Sequence, residues 1–140
     1  HTSHEFEMLL AREACSYVRV SMGVCGGFTG AKKIAAVAEA HHVSLVPHNP
    51  LSPVMTNAVL NFAAATDNVA ICEYPNPVSG VKLRQCDMVD HIPEMKNGYL
   101  PVPKEDGIGI ELIPDLEERF PFRPHKILTR LNLDGSICDQ

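Results

Sequence analysis

Two periodicities alternate along the first 74 residues of the chain. His4 to Ala14 places Phe6, Leu9 and Leu10 on one helical face, with Ser3 as the expected N-cap and Glu5 and Glu7 suited to the positive end. Tyr17 to Val20 is a short β-rich run. A second helix is expected from Gly30 to His41, capped by Thr29, with Ile34, Val37 and Ala38 buried. Val43 to Val46 reads as a buried strand. Val54 to Ala65 reads as a third helix, with Leu60 and Ala63, Ala64 and Ala65 turned inward, and Val69 to Tyr74 as the next strand. Helix, strand, helix, strand, helix, strand with short connections means parallel strands joined by crossover helices.

After Tyr74 the pattern changes. Prolines at 75, 77, 93, 101, 103, 114, 121 and 124 break the chain into loops. Within this tail Asp106 to Leu112 reads as a turn followed by a strand, Pro114 to Phe120 as a short helix, and Lys126 to Leu133 as a last strand. The expected division is residues 1–74 as βα units and 75–140 as a Pro-rich tail packing back on them or on a capping domain. Three strands cannot close a barrel, and a parallel sheet needs cover on both faces. Alone, such a piece exposes apolar sheet edges and faces.

Composition narrows the classes. Of 140 residues, 45% are hydrophobic, as in a globular chain, and no run is long enough to span a membrane. A net charge of -5 with no Lys/Arg run argues against a nucleic-acid surface. Five scattered cysteines without a C-x-x-C pair indicate neither a zinc site nor a disulfide framework, which suits a reducing cytoplasm. No secretory signal is visible.

The candidate chemistry gathers at strand ends. Val43 to Val46 runs into Pro47-His48-Asn49-Pro50, where a ladder must stop for want of a donor. His48 therefore stands at a C-terminal strand tip, where strand-helix folds collect their chemistry. It is either a functional imidazole or one that caps the strand beneath the following loop. Glu73 ends the apolar run Val69 to Cys72, as a site carboxylate or as one ion-paired at the strand end. His41 and His42 are adjacent on a helix and cannot face one another, so the helix dipole explains them better than a metal. Asp87, Asp90 and His91 read as solvated tail residues, and Glu117, Glu118 and Arg119 as an exposed helix face.

Cys25 to Ala40 (CGGFTGAKKIAAVAEA), Pro47 to Val54 (PHNPLSPV) and Glu73-Tyr74-Pro75 stand in the order and spacing of the mandelate-racemase-like branch of the enolase superfamily. The chain resembles the C-terminal part of its galactonate-dehydratase-like acid-sugar dehydratases. The resemblance covers most of the chain and is strongest from Ser16 to Tyr74. It implies an α/β fold made of the last three βα units of a (β/α)8 barrel, whose sixth, seventh and eighth strands end at Ser21, His48 and Glu73, plus the irregular tail.

It further implies that His48 is a general acid/base, that Glu73 points toward the substrate carboxylate or its enolate oxygen, and that Asn49 binds substrate. Ser21 stands where the family commonly has an Asp that orients the histidine. A hydroxyl supplies no charge to an imidazolium, which disfavours racemase-style base chemistry. The implied cofactor is Mg²⁺, with its ligands before residue 1 and none in this chain. The implied partner is a small sugar acid, and the full-length protein a cytoplasmic homo-oligomer. A racemase, epimerase or cycloisomerase of the same superfamily, and a non-catalytic remnant or binding module, remain the alternatives.

Overall fold

The structure is a computed structural model that describes residues 1–50, 52–75, 86–124 and 131–136. Strand β1 (Tyr17–Val18) pairs in parallel with β2 (Ser44–Leu45), Tyr17 opposite Ser44 and Val18 opposite Leu45. Leu45 makes a further parallel bridge to Val69. The three extended stretches thus lie side by side, with β2 in the middle. The ladders are shorter than the expected strands, but single bonds carry the pairing onward. Val46 N–H donates to Val18 O at 2.9 Å and His48 N–H to Val20 O at 2.8 Å, while Ala70 N–H donates to Leu45 O at 2.9 Å. Pro47, without an N–H, cannot follow Leu45, whose N–H donates to Asn68 O, in donating toward the third stretch.

The helices start and stop one to four residues from their expected limits, for reasons of capping. Helix α1 (Ser3–Leu10) is capped by Thr2, not Ser3, because Glu5 sits three residues after Thr2 and closes a reciprocal capping box. It ends at Leu10 rather than Ala14, since Glu13 turns left-handed (φ 53) and Ala14 N–H returns to Leu9 O. A four-residue helix, α2 (Met22–Cys25), absent from the sequence expectations, follows Ser21. Gly26, at φ 95, closes α2 and opens α3 (Gly27–Ala40), so Thr29 lies inside the helix and is not its cap. Helix α4 (Pro53–Ala64) has Ser52 as N-cap, its hydroxyl accepting from Met55 N–H, and Pro53 in the first turn.

One core results. Leu10 of α1, Ala31, Ile34, Ala35 and Ala38 of α3, and Val59 and Phe62 of α4 cluster with Val18, Val20 and Leu45. The α3 residues fall at i, i+3, i+4 and i+7, the stripe a sheet-packing helix needs. On α4, Ala64 and Ala65 are exposed and Phe62 is buried instead, because the helix ends at Ala64 and its period puts Val59 and Phe62 inward. Val18 and Val20 are buried while the alternating Tyr17 and Arg19 are exposed, the pattern of a strand with helices on one face only. Ile71, 66% exposed, lies open as well. Among the described residues nothing covers this second face.

The tail docks on α4 and on Tyr74, at the end of the third stretch, through its backbone carbonyls. Asn57 Nδ2 donates to Gly109 O at 2.7 Å, Asn61 Nδ2 to Ile108 O at 3.2 Å, and Tyr74 Oη to Pro93 O at 2.6 Å. Val89 and Leu112 form an antiparallel bridge, the observed remnant of the expected strand at 108–112. The short tail helix is α5 (Leu116–Arg119). Most of the expected strand from Lys126 to Leu133 lies outside the described residues. Gly109 sits at φ 71, and a Cβ there would stand 2.5 Å from Pro103 Cβ. Gly109→Ala should therefore destabilise the complete protein by roughly 2–4 kcal/mol, combining left-handed strain with overpacking. A denaturant midpoint within 0.5 M of the parent's, at unchanged slope, would contradict this.

Candidate active site at the strand tips

Ser21, His48 and Glu73 sit at the ends of three neighbouring extended stretches. The His48 N–H bond to Val20 O holds the second tip to the first. Asn49 N–H donates to Glu73 Oε2 at 2.7 Å, holding the second tip to the third. His48 is half-buried, and among the described residues its ring makes no hydrogen bond. Ser21 is also half-buried. Its carbonyl accepts from Val24 and Cys25 N–H in the turn of α2, while its hydroxyl caps nothing. Asn49 differs from the other three. Its side chain is 1% exposed and turned under the loop, with Nδ2 donating to Thr56 Oγ1 at 2.9 Å and to Glu73 O at 3.1 Å.

Sequence reasoning missed Arg19. Its Nη2 donates to Glu73 Oε2 at 2.8 Å, across from the first stretch to the third. The signal was present in Tyr17-Val18-Arg19-Val20: with Val18 and Val20 facing the helices, period two places Arg19 on the same face as Ser21. A guanidinium carries five N–H donors in a fixed fork, a carboxylate-recognising geometry.

Partial burial pushes the Glu73 carboxyl up. The Asn49 N–H, the Arg19 guanidinium through bond and charge, and the His48 charge outweigh this and hold it below the usual carboxylate value of 4.5. A lowered native pKa means that Glu73 contributes stability fully above its unfolded pKa. That contribution is lost as pH falls below about 4.5 and through the lower native value. Acid unfolding of Glu73→Gln should accordingly be shallower in this window than that of the parent. Circular dichroism between pH 5 and pH 2, scanned in parallel, checks it, and superimposable acid limbs would refute it.

The other candidates stay apart from the tips. His41 Nε2 and Glu7 Oε2 lie 3.0 Å apart, so the C-terminal end of α3 also has a carboxylate partner on α1. Asp90 pairs with His91 at 2.9 Å and accepts from Glu111 N–H at the surface. A cleft of about 270 Å³ lined by Asn57, His91, Pro93, Pro103, Lys104 and Gly109 belongs to the tail. Ser21 and His48 alternate with the buried Val20 and Pro47, which turns them toward the uncovered side of the sheet.

Comparison with known proteins bears on the family and the fold. A family profile described as "Enolase C-terminal domain-like" matches residues 1–116. The chain belongs to this family. An enolase C-terminal domain is an α/β fold of the TIM-barrel type, and the parallel stretches with helices on one face are an arc of it. The chain is 32% identical over 141 residues to a "D-galactonate dehydratase family member" of Streptomyces bingchenggensis, covering 99% of this chain and 33% of that protein. It is 30% identical over 135 residues to a D-mannonate dehydratase of Caulobacter vibrioides, covering 94% and 32%. An enolase structure from Agrobacterium radiobacter, bound to sodium and L-malate, superimposes with a TM-score of 0.82 at 28% identity, covering 98% of this chain and 38% of that one. The enolase-type chain thus spans about a third of the length of the curated relatives it matches, which are named as acid-sugar dehydratases.

Proposed function

We propose that this enolase-type chain is the acid-base portion of a Mg²⁺-dependent acid-sugar dehydratase. The observation that carries the reading is the meeting of His48 and Glu73 on adjacent tips, with Arg19 and the Asn49 N–H locking the carboxylate. The reaction removes the proton α to the substrate carboxylate, and its electron pair moves into an enolate. The β carbon–oxygen bond then breaks, and the hydroxyl leaves as water after taking a proton. The remaining enol becomes a 2-keto-3-deoxy acid by tautomerisation.

His48 is suited to the second proton transfer. Its ring has no hydrogen-bond partner among the described residues, and an imidazole can give or take a proton near neutral pH. Ser21 beside it offers a hydroxyl rather than a charge, which favours His48 as the acid that releases water over a strong base. By the resemblance, Glu73 points toward the substrate carboxylate or its enolate oxygen. An anion is tolerable there because Arg19 neutralises it, and the guanidinium fork has further donors for an oxygen-rich ligand.

Among the described residues no three His, Cys, Asp or Glu side chains converge as a metal site. Glu73 Oε2 is already shared by Arg19 and Asn49. The described residues alone do not offer a Mg²⁺ site, and the reading takes the ion's carboxylates from elsewhere in the complete protein.

The decisive assay takes the complete protein with Mg²⁺ through a panel of sugar acids, following both 2-keto-3-deoxy product and deuterium exchange at the α carbon. Product formation supports the dehydratase. Exchange or epimerisation without loss of water would indicate a racemase or epimerase instead. Silence in both measurements across the panel would leave a binding module or remnant.

A further inference from the structure

Between β2 and the third stretch, the last backbone bond among the described residues is Ala70 N–H to Leu45 O. Glu73 lies three residues beyond it, yet its carboxylate is held. The Asn49 carboxamide provides the missing tie. Its Nδ2 donates at once to Glu73 O and to Thr56 Oγ1, and its own backbone N–H reaches Glu73 Oε2. Thr56 is locked in turn, its hydroxyl donating to Ser52 O at the N-cap of α4. Asn49 and Thr56 are 1% and 2% exposed, and Asn49 stands between Pro47 and Pro50, whose rings restrict the loop. The amide orientation is settled by chemistry: Glu73 O only accepts, so the nitrogen must face it. Asn49 Oδ1 is then buried with no hydrogen-bond partner among the described residues.

We infer that Asn49 is a positioning residue rather than a substrate ligand, a strut braced on Thr56 of α4 that sets where the Glu73 carboxylate stands relative to His48. The strut is built from the side facing the helices, so neither carboxamide nor threonine hydroxyl touches the open face. In consequence the site geometry depends on a residue of α4 remote from any ligand. The inference rests on the dehydratase reading only for its kinetic consequence.

The test compares Thr56→Val with Thr56→Ser in the complete protein. Valine keeps the shape and removes the hydroxyl that braces Asn49, whereas serine restores the hydroxyl. The first readout, independent of any substrate, is the side-chain carboxyl titration of Glu73 by ¹³C NMR in glutamate-labelled protein, assigned against Glu73→Gln. Thr56→Val should move the Glu73 midpoint up toward the ordinary carboxylate range, and Thr56→Ser should leave it where the parent has it. The second readout is kinetic: kcat should fall about 10²-fold in Thr56→Val with little change in KM, as expected for an ångström-scale misplacement, and recover in Thr56→Ser. If Thr56→Val does not fold, Asn49→Ala removes the strut and its orphaned acceptor together, and the same titration applies. A folded variant whose Glu73 titrates like the parent's would overturn the strut. A freed Glu73 in a protein inactive on every sugar acid would uphold the strut and count against the dehydratase reading alone.

Discussion

His48→Asn in the complete protein should lower turnover by about 10²–10⁴-fold, the usual contribution of a positioned acid or base, with folding essentially intact. The expectation follows from how the fold uses this residue. What the structure takes from His48 is its backbone N–H, bonded to Val20 O, and asparagine supplies the same group. The ring is half-buried and makes no hydrogen bond among the described residues, so its removal forfeits little packing. Asparagine cannot exchange a proton near neutral pH, so on the proposed dehydratase reading the chemistry is lost and the fold is kept. Because Glu73 feels the His48 charge last and most weakly among its partners, its carboxylate should stay in place in the variant. The measurements are kcat at saturating sugar acid and the thermal midpoint of the same preparation. A variant within threefold of parental turnover, or one that unfolds, would return His48 to the role of a histidine packed beneath its loop.

The parts of this architecture that were legible in the sequence are those written in side-chain periodicity. The order of helices and extended stretches could be read because Val18 and Val20, and the Ala31, Ile34, Ala35 and Ala38 stripe, repeat at periods set by backbone geometry. The tips could be read because Pro47 and Pro50 bracket His48 and Asn49 and forbid a continuing ladder. The resemblance then named the fold, and the profile match and relatives agree with it.

What escaped was written in contacts between distant residues. Arg19 meets Glu73 across 54 positions of sequence, and Asn57 and Asn61 reach the Ile108 and Gly109 carbonyls across about fifty. No local pattern marks such partners. Capping was missed for a local reason: Thr2 and Ser3 both suit an N-cap, and only the spacing to Glu5 separates them. Helix α2 is one turn long, too short for a hydrophobic period to reveal it. The resemblance implies that Asn49 binds substrate, whereas strand alternation sets its side chain on the face of the buried Leu45 and Pro47.

Phe62→Ala should produce the converse of His48→Asn: a loss of about 3–5 kcal/mol of stability, the range for emptying a buried aromatic site, with the chemistry per folded molecule nearly unchanged. Phe62 is 1% exposed and is the largest of the fully buried side chains. It joins α4 to the cluster formed by Val18, Leu45, Ile34 and Val59, so its removal leaves a void between helix and sheet that alanine cannot fill. The loss is confined to packing, because its backbone bonds, including the carbonyl that accepts from Thr66 Oγ1, do not depend on the ring. Phe62 lies six residues beyond Thr56 on α4, and the Ser52–Thr56–Asn49 strut is made in the first turn of that helix. The strut should therefore survive in the folded fraction. Urea unfolding of the complete protein, with kcat normalised to the folded population, separates the two effects. A midpoint lowered in proportion, with kcat held within a few-fold, is the expected result. A kcat that collapses while the protein remains folded would mean that the strand tips are placed by the whole length of α4 and not by its first turn.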